Sequence, residues 1–190
     1  MKKIVIVGAG ALGSHAAQAL RNSGDITLID FDHVEPKNVK AQFHGLQAVG
    51  KNKALALQQL MKFVFGVKAN AVPHRLTADN DVQLLTGSDL ILDCLDRPEP
   101  RLLVQQVARR FRIPCLHGAL AADGAFGRVV WDEQFVVEPA ASGGATCEDG
   151  EHEEFIFMVS GHLAYAAKVF FRDGRRLGWQ IPATGDAIPI

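Results

Sequence analysis

Hydrophobic positions in this chain fall in short unbroken runs, and the stretches between them carry a helical period. Ile4 to Val7 is the first run, Ile26 to Ile29 the second, and Leu90-Ile91-Leu92 and Ile113 to Leu116 are two more. A strand covered on both faces reads this way, because polar alternation disappears when neither face meets water. Between the first two runs, Leu12, Ala16, Ala19 and Leu20 form one apolar stripe of a helix, closed by Asn22-Ser23-Gly24 with Gly24 at the position after the cap. Ala54, Leu57 and Met61 form another within a helix predicted over Gly50 to Phe65. Shorter signals predict a strand over Val67 to His74 and a helix over Ala78 to Leu85. A longer helix is predicted over Pro98 to Phe111, whose prolines occupy the tolerant first turn. This alternation predicts an α/β fold with a doubly wound, mostly parallel sheet. The last third departs from it. Gly127 to Trp131 and Phe135 to Val137 predict two strands joined by Asp132-Glu133-Gln134, an antiparallel extension near the C-terminal third. Ala140 to Glu154, rich in Gly, Ser and acidic residues, predicts a loop, Phe155 to Phe171 a final helix, and the stretch from Asp173 a loop-like tail.

Composition narrows the class without naming a chemistry. The 190 residues suffice for one domain, taken as 1–190, with a sizeable core. Apolar residues make up 48% and charged residues 22%, and the formal net charge is −1, so neither nucleic acid nor an anionic membrane is expected as a partner. No segment is expected to span a bilayer, and Lys2-Lys3 with the following apolar run is read as the first strand rather than a leader. Cys94, Cys115 and Cys147 are odd in number and form no CxxC pair, which argues against a zinc site or a disulfide framework and for a reducing cytoplasm. The histidines show no metal-ligand spacing. His117 is open to two readings, a substrate contact or a hydrogen-bonded structural residue.

The first run leads directly into Gly8-Ala9-Gly10-Ala11-Leu12-Gly13. Gly8 permits a tight turn out of the strand. Gly10 lets backbone approach a phosphate, and Gly13 lets the helix lie close to the sheet. The helix N-terminus offers unpaired N–H groups to an anion, and Asp30 at the tip of the second strand stands where a carboxylate accepts from ribose hydroxyls. The unit is a Rossmann-like nucleotide cradle. Asp30 and Asp32 are followed by Glu35, Asn38, Gln42, then Gly50-x-x-Lys53 opening a helix, then Asp93-Cys94-Leu95-Asp96 and Arg101. A nicotinamide dehydrogenase, the alternative reading of the cradle, needs none of these beyond Asp30. An enzyme acting at the α-phosphate of ATP does. Lys53 would neutralise the phosphates, Asp96 would hold Mg²⁺, and Asn38 and Gln42 would line the nucleotide.

With these residues in place, the chain resembles the ThiF/MoeB/HesA family, bacterial relatives of ubiquitin-activating enzymes. The resemblance rests on Gly8 to Gly13, on Leu28-Ile-Asp-Phe-Asp32 with Val34-Glu35, on Asn38 and Gln42, on Val49-Gly50-Lys-Asn-Lys53 and on Leu92 to Asp96, and it covers about the first 130 residues closely. It implies ATP and Mg²⁺ binding and adenylation of the C-terminal glycine of a small ubiquitin-like sulfur carrier with a Gly-Gly tail. It also implies a homodimer and a place in a sulfur-transfer pathway such as thiamine biosynthesis. Carried over by position, Asp30 binds ribose, Lys53 the phosphates and Asp96 the metal, with Gly8, Gly10, Leu12, Gly13, Asp32, Asn38 and Gln42 around the nucleotide. Cys147 corresponds to the region where family members carry a cysteine that joins the carrier. Its neighbours Glu148, Asp149 and Glu151 would disfavour the thiolate. The family motif Asn-x-x-Arg-Gln reads here Asn38-Val39-Lys40-Ala41-Gln42, so Ala41 stands in the arginine position, with Lys40 and Arg97 as candidate substitutes. Family members with N-terminal helices supply a further arginine to the partner's site, and none is expected from a chain starting at the first strand. A catalytically weak or inactive ATP- and carrier-binding module is therefore the second reading.

Overall fold

The computed structural model describes residues 1–121, 123–137 and 152–190. Its single eight-stranded sheet is built from β1 (Lys3–Val7), β2 (Asp25–Ile29), β3 (Asn70–Val72), β4 (Leu90–Asp93), β5 (Cys115–Leu120), β6 (Phe126–Trp131), β7 (Trp179–Pro182) and β8 (Ile188–Pro189). The spatial order is β3-β2-β1-β4-β5-β6-β7-β8. Pairings from β3 through β5 are parallel, and those from β5 to β8 are antiparallel. The doubly wound, mostly parallel α/β expectation is borne out.

The unbroken apolar runs divide their residues between two faces, as a pleated strand requires. Ile4, Ile6, Leu28 and Leu92 face one core, filled by α1 (Ala11–Ala19), α2 (Lys53–Phe65) and α5 (Glu153–Asp173) through Leu12, Ala16, Leu57, Met61, Leu163 and Ala167. Val5, Val7, Ile29 and Ile91 face the second, filled by α3 (Asp81–Leu85) and α4 (Pro98–Phe111) through Leu85, Val104 and Val107. β1 lies in the middle with both faces dry, which fixes the glycine turn at its end relative to helices on either side.

Several expectations change. Gly24 does not cap α1, whose C-cap is Leu20; a methyl group there would stand 2.2 Å from the Lys2 carbonyl oxygen, so its smallness serves the close approach of β1. The helix expected from Gly50 begins at Lys53, because Gly50 takes φ +84° and Asn52 is the cap. Residues 135–137 form no strand. Asp132 to Gln134 make a 3-10 turn that carries Asp132 inward, and the antiparallel partners of β6 are β5 and β7. The tail expected to be loop-like supplies β7 and β8, each too short for its alternation to be read. Helix α5, with 21 residues, reaches the length and apolarity of a membrane span, contrary to expectation, yet half of its apolar window is buried within the fold. The predicted loop over 140–154, apart from its last residues at the start of α5, lies outside the described residues, as does Cys147.

Candidate nucleotide site at the carboxyl ends of the strands

The chain leaves β1 through Gly8, whose φ of +94° and whose approach to the Cys94 carbonyl oxygen, 2.8 Å from where a methyl group would sit, exclude other residues. Gly13 is equally constrained, since its methyl position falls 1.8 Å from the Gly8 carbonyl oxygen. At Gly10 a methyl group would meet only the Gln42 Nε2, at 4.0 Å. Protein packing therefore does not require a glycine at position 10, and the space above it is open. The first helical hydrogen bond of α1 runs from Ser14 N–H to the Gly10 carbonyl at 3.0 Å, so the amides before it have no helical partner. Leu12 contributes only backbone to this rim, because its side chain is buried in the core.

Asp30 closes the turn from β2. Its carboxylate accepts from Ala9 N–H at 2.6 Å and from Asp32 N–H at 2.8 Å. Burial pushes its pKa up, against the pull of those two amides and of Lys53. Lys53 opens α2; its Nζ lies 3.9 Å from Asp32 Oδ2, and its N–H donates to the Asp32 carbonyl at 2.8 Å. Asp32 is half-exposed and available as well as paired. Asn52 ties these pieces together, donating from Nδ2 to the Asp30 carbonyl at 2.8 Å and the Asp32 carbonyl at 3.2 Å while its Oδ1 caps α2 through Leu55 N–H. The sequence reading passed over Asn52, although an asparagine directly before a helical stripe is a capping signal.

The segment 36–44 lies against the glycine turn. Asn38 is buried, and its Oδ1 accepts from Glu35 N–H at 2.9 Å in a reciprocal cap of the 3-10 turn Pro36–Lys40, so its oxygen is committed to the fold. Gln42 is buried beside Gly10 with its Oε1 unpartnered, an orphaned acceptor at the mouth of the cradle. Ala41 is buried in a cluster with Ala11 and Ile156, so the space beside it is taken by α5. The His44 Nε2 lies 2.9 Å from the Ala9 carbonyl oxygen, and no sequence signal pointed to this contact. Asp96 follows β4 and is exposed, with no hydrogen-bond partner among the described residues; Arg97 beside it is also exposed.

Behind Asp96 the loop is anchored by a buried ionic network. Asp93 accepts from Arg101 Nη1 at 2.9 Å and His117 Nδ1 at 2.6 Å on one oxygen, and from Leu95 N–H at 3.0 Å on the other. Arg101 also donates to the carbonyls of Leu95 and Gly118. The His117 Nε2 reaches Asp132 Oδ1 at 3.1 Å, Gln105 and Arg109 also hold Asp132, and Phe135 stacks on the imidazole with centroids 4.1 Å apart. Burial opposes charge on His117, but its bonds to Asp132 and Asp93 prevail and raise its pKa to about 11. Burial is likewise outweighed at Asp132, which His117 and Arg109 lower to about 2, and at Asp93, which Arg101 and His117 lower. His117 is thus a fully buried structural imidazolium, which decides between its two readings. Cys94 and Cys115 are free thiols beside this network, with burial pushing both pKa values up, as packing residues rather than nucleophiles. Among the described residues no cluster of three or more His, Cys, Asp or Glu could hold a metal ion. A metal at Asp96 would take that one carboxylate and share phosphate oxygens and water, the donor set magnesium accepts.

The family model described as the ThiF family matches residues 1–161. The adenylyltransferase and sulfurtransferase UBA4 of Lodderomyces elongisporus is 34% identical over 78% of this chain and 35% of its own length. The sulfur carrier protein adenylyltransferase of Thermus thermophilus is 33% identical over 62% of this chain and 45% of its own. The chain thus spans under half the length of these curated relatives. Among solved structures, E. coli tRNA N6-threonylcarbamoyladenosine dehydratase, TcdA, in complex with ATP superposes with a TM-score of 0.66 at 23% identity, over 90% of this chain and 88% of that one. This last likeness is one of fold.

Proposed function

The chain belongs to the ThiF family, and on that premise we propose that it binds ATP with Mg²⁺ and adenylates the C-terminal glycine carboxylate of a small ubiquitin-like sulfur carrier ending in Gly-Gly. The observation that carries the reading is the placement of Asp30, Lys53 and Asp96. Asp30 ends β2, Asp96 follows β4 and Lys53 opens α2, and β2 and β4 flank β1, which runs into the glycine turn. The adenylyltransferase names of two curated relatives support it.

In this reading the amides at the start of α1 take the phosphates, with Gly10 leaving room for them. Asp30, its oxygens already oriented by Ala9 and Asp32, accepts from the ribose hydroxyls. The orphaned Gln42 Oε1 offers a further acceptor. Lys53 stabilises charge on the phosphates. The carrier carboxylate attacks the α-phosphorus, the bond from that phosphorus to the α,β-bridging oxygen breaks, and pyrophosphate leaves with the electron pair. The product is an acyl adenylate. Asp96 would hold magnesium, which would supply positive charge against the negative charge of the polyphosphate. The same reading places the chain, as one domain, in a cytoplasmic homodimer serving a sulfur-transfer pathway.

ATP–pyrophosphate exchange with a Gly-Gly-tailed carrier is the test. Exchange that depends on the carrier, and is lost in Asp96→Ala, is the expected result. ATP binding without exchange, with every carrier encoded beside the gene, would overturn the enzymatic reading. That outcome would favour a nucleotide- and carrier-binding module, a reading to which the apolar burial of Ala41 lends weight. Thermal stabilisation by NAD but not by ATP would instead favour the dehydrogenase.

A further inference from the structure

Two imidazoles lie at the edge of the glycine turn, and the reaction outlined above gives neither of them a role. His44 is only 5% exposed; its Nε2 meets the Ala9 carbonyl, and its Nδ1 has no partner. His15, on α1, is half-buried, with its Nε2 3.3 Å from the Ala41 carbonyl oxygen and its ring edge-on to Phe157, centroids 4.6 Å apart. Phe43 follows Gln42 in the chain, its ring centroid 6.1 Å from that of His15. The charged and titratable groups that bear on His44 are Lys53 of α2 and His15 of α1. Burial lowers the pKa of both imidazoles, and at His44 the Lys53 charge and His15 lower it further. Both rings are therefore neutral in the free protein at physiological pH. A buried ring nitrogen without a partner is costly, and the other nitrogen of the same ring meets the backbone of a turn built to receive an anion.

A polyphosphate on this turn reverses the local balance. Negative charge nearby favours the protonated imidazole, and Lys53, once paired with phosphate, no longer opposes it. We propose that His44, seconded by His15, is a titratable cation site for the nucleotide, taking up a proton as the polyphosphate enters the glycine turn. This rests on the ATP reading above. The imidazolium keeps one N–H on the Ala9 carbonyl and gains a second donor at Nδ1, the atom left without a partner. It restores positive charge beside a position where Ala41, packed on Ala11 and Ile156, supplies none.

Calorimetric titration of the full chain with Mg²⁺ and the α,β-methylene analogue of ATP tests this, run at pH 8 in two buffers of different ionisation enthalpy. Wild type should take up protons on binding. His44→Gln, which retains a donor for the Ala9 carbonyl but cannot titrate, should take up fewer, and the analogue's own titration cancels in the difference. Wild-type affinity should weaken with rising pH by up to about tenfold per unit from His44, and that of His44→Gln should weaken less steeply. An equal proton count in the two proteins overturns the proposal while leaving ATP binding intact. So does an uptake that vanishes in His15→Gln and persists in His44→Gln. Failure of wild type to bind the analogue removes the ATP reading itself, and this inference with it. Should His44→Gln not fold, the imidazole ring-proton resonances of wild type serve instead. A shift of the His44 signals to imidazolium positions on saturation supports the proposal, and unshifted signals overturn it.

Discussion

A methyl group at Gly13 would need the space of the Gly8 carbonyl oxygen, whereas one at Gly10 would point into the open cradle. The two glycines of one motif therefore answer to different constraints, and alanine separates them. Gly13→Ala should lose about 1–3 kcal/mol of stability in urea denaturation, because α1 must move off the end of β1. Gly10→Ala, at φ −80° and ψ −146°, outside the regions alanine prefers but with open space for its methyl group, should lose less stability than Gly13→Ala yet bind ATP at least tenfold more weakly by calorimetry. Undiminished ATP affinity in Gly10→Ala would place the phosphates elsewhere. The spacing of the motif already assigned Gly10 to a phosphate and Gly13 to the packing of α1 on the sheet. The distances show which one the fold itself demands.

The start of α2 shows how one element assembles a site. Asn52 caps the helix with its oxygen and holds the Asp30 and Asp32 carbonyls with its nitrogen, so the cap also sets the position of Lys53 relative to Asp30. Asn52→Ala should cost about 1–2 kcal/mol. Asn52→Asp caps again but sets a carboxylate oxygen against the two carbonyl oxygens, so it should recover only part of that and ATP affinity should stay reduced. Full recovery of affinity in Asn52→Asp would show that the donations do not matter. Elements with an undisturbed local pattern were legible from the sequence: α4 runs over Pro98–Phe111 as the proline-led stripe predicts, and β1, β2 and β4 follow their apolar runs. Elements defined by a distant partner were not. Phe135 to Val137 has the composition of a strand, yet Asp132 must turn inward to meet His117, and Trp179 to Pro182 takes the open edge of β6 instead. The glycines, Asp30, Lys53 and Asp96 were readable as a candidate site because a helix start and strand ends expose them together. His44 was not, since only the fold brings it to Ala9.

On the scale of the whole molecule, β4, α4, β5 and the 3-10 turn after β6 meet in the chain Arg101–Asp93–His117–Asp132–Arg109, whose charges alternate in sign. The His117 pKa is raised on folding, so its contribution to stability is complete below the unfolded value of 6.5 and is lost as pH climbs towards about 11. That of Asp132, lowered to about 2, is complete above the unfolded value of 3.8 and is lost as pH falls towards 2. Urea denaturation from pH 7 to 10 should therefore show stability declining by at most about 1.4 kcal/mol per pH unit from this residue. The slope should be shallower in His117→Gln; an identical slope would show that His117 is not the group responsible. The order of strands has a consequence for how the protein is made. Both neighbours of β1 lie within the first 93 residues, so the glycine turn can form on a partial chain once that segment has cleared the ribosome. The outer edge of β6 waits for Trp179 to Pro182, across the whole of α5. Loop closure over that separation is slow, so nascent chains pass through an interval in which the nucleotide cradle exists while an unpaired strand edge is still open to chaperones or to another copy.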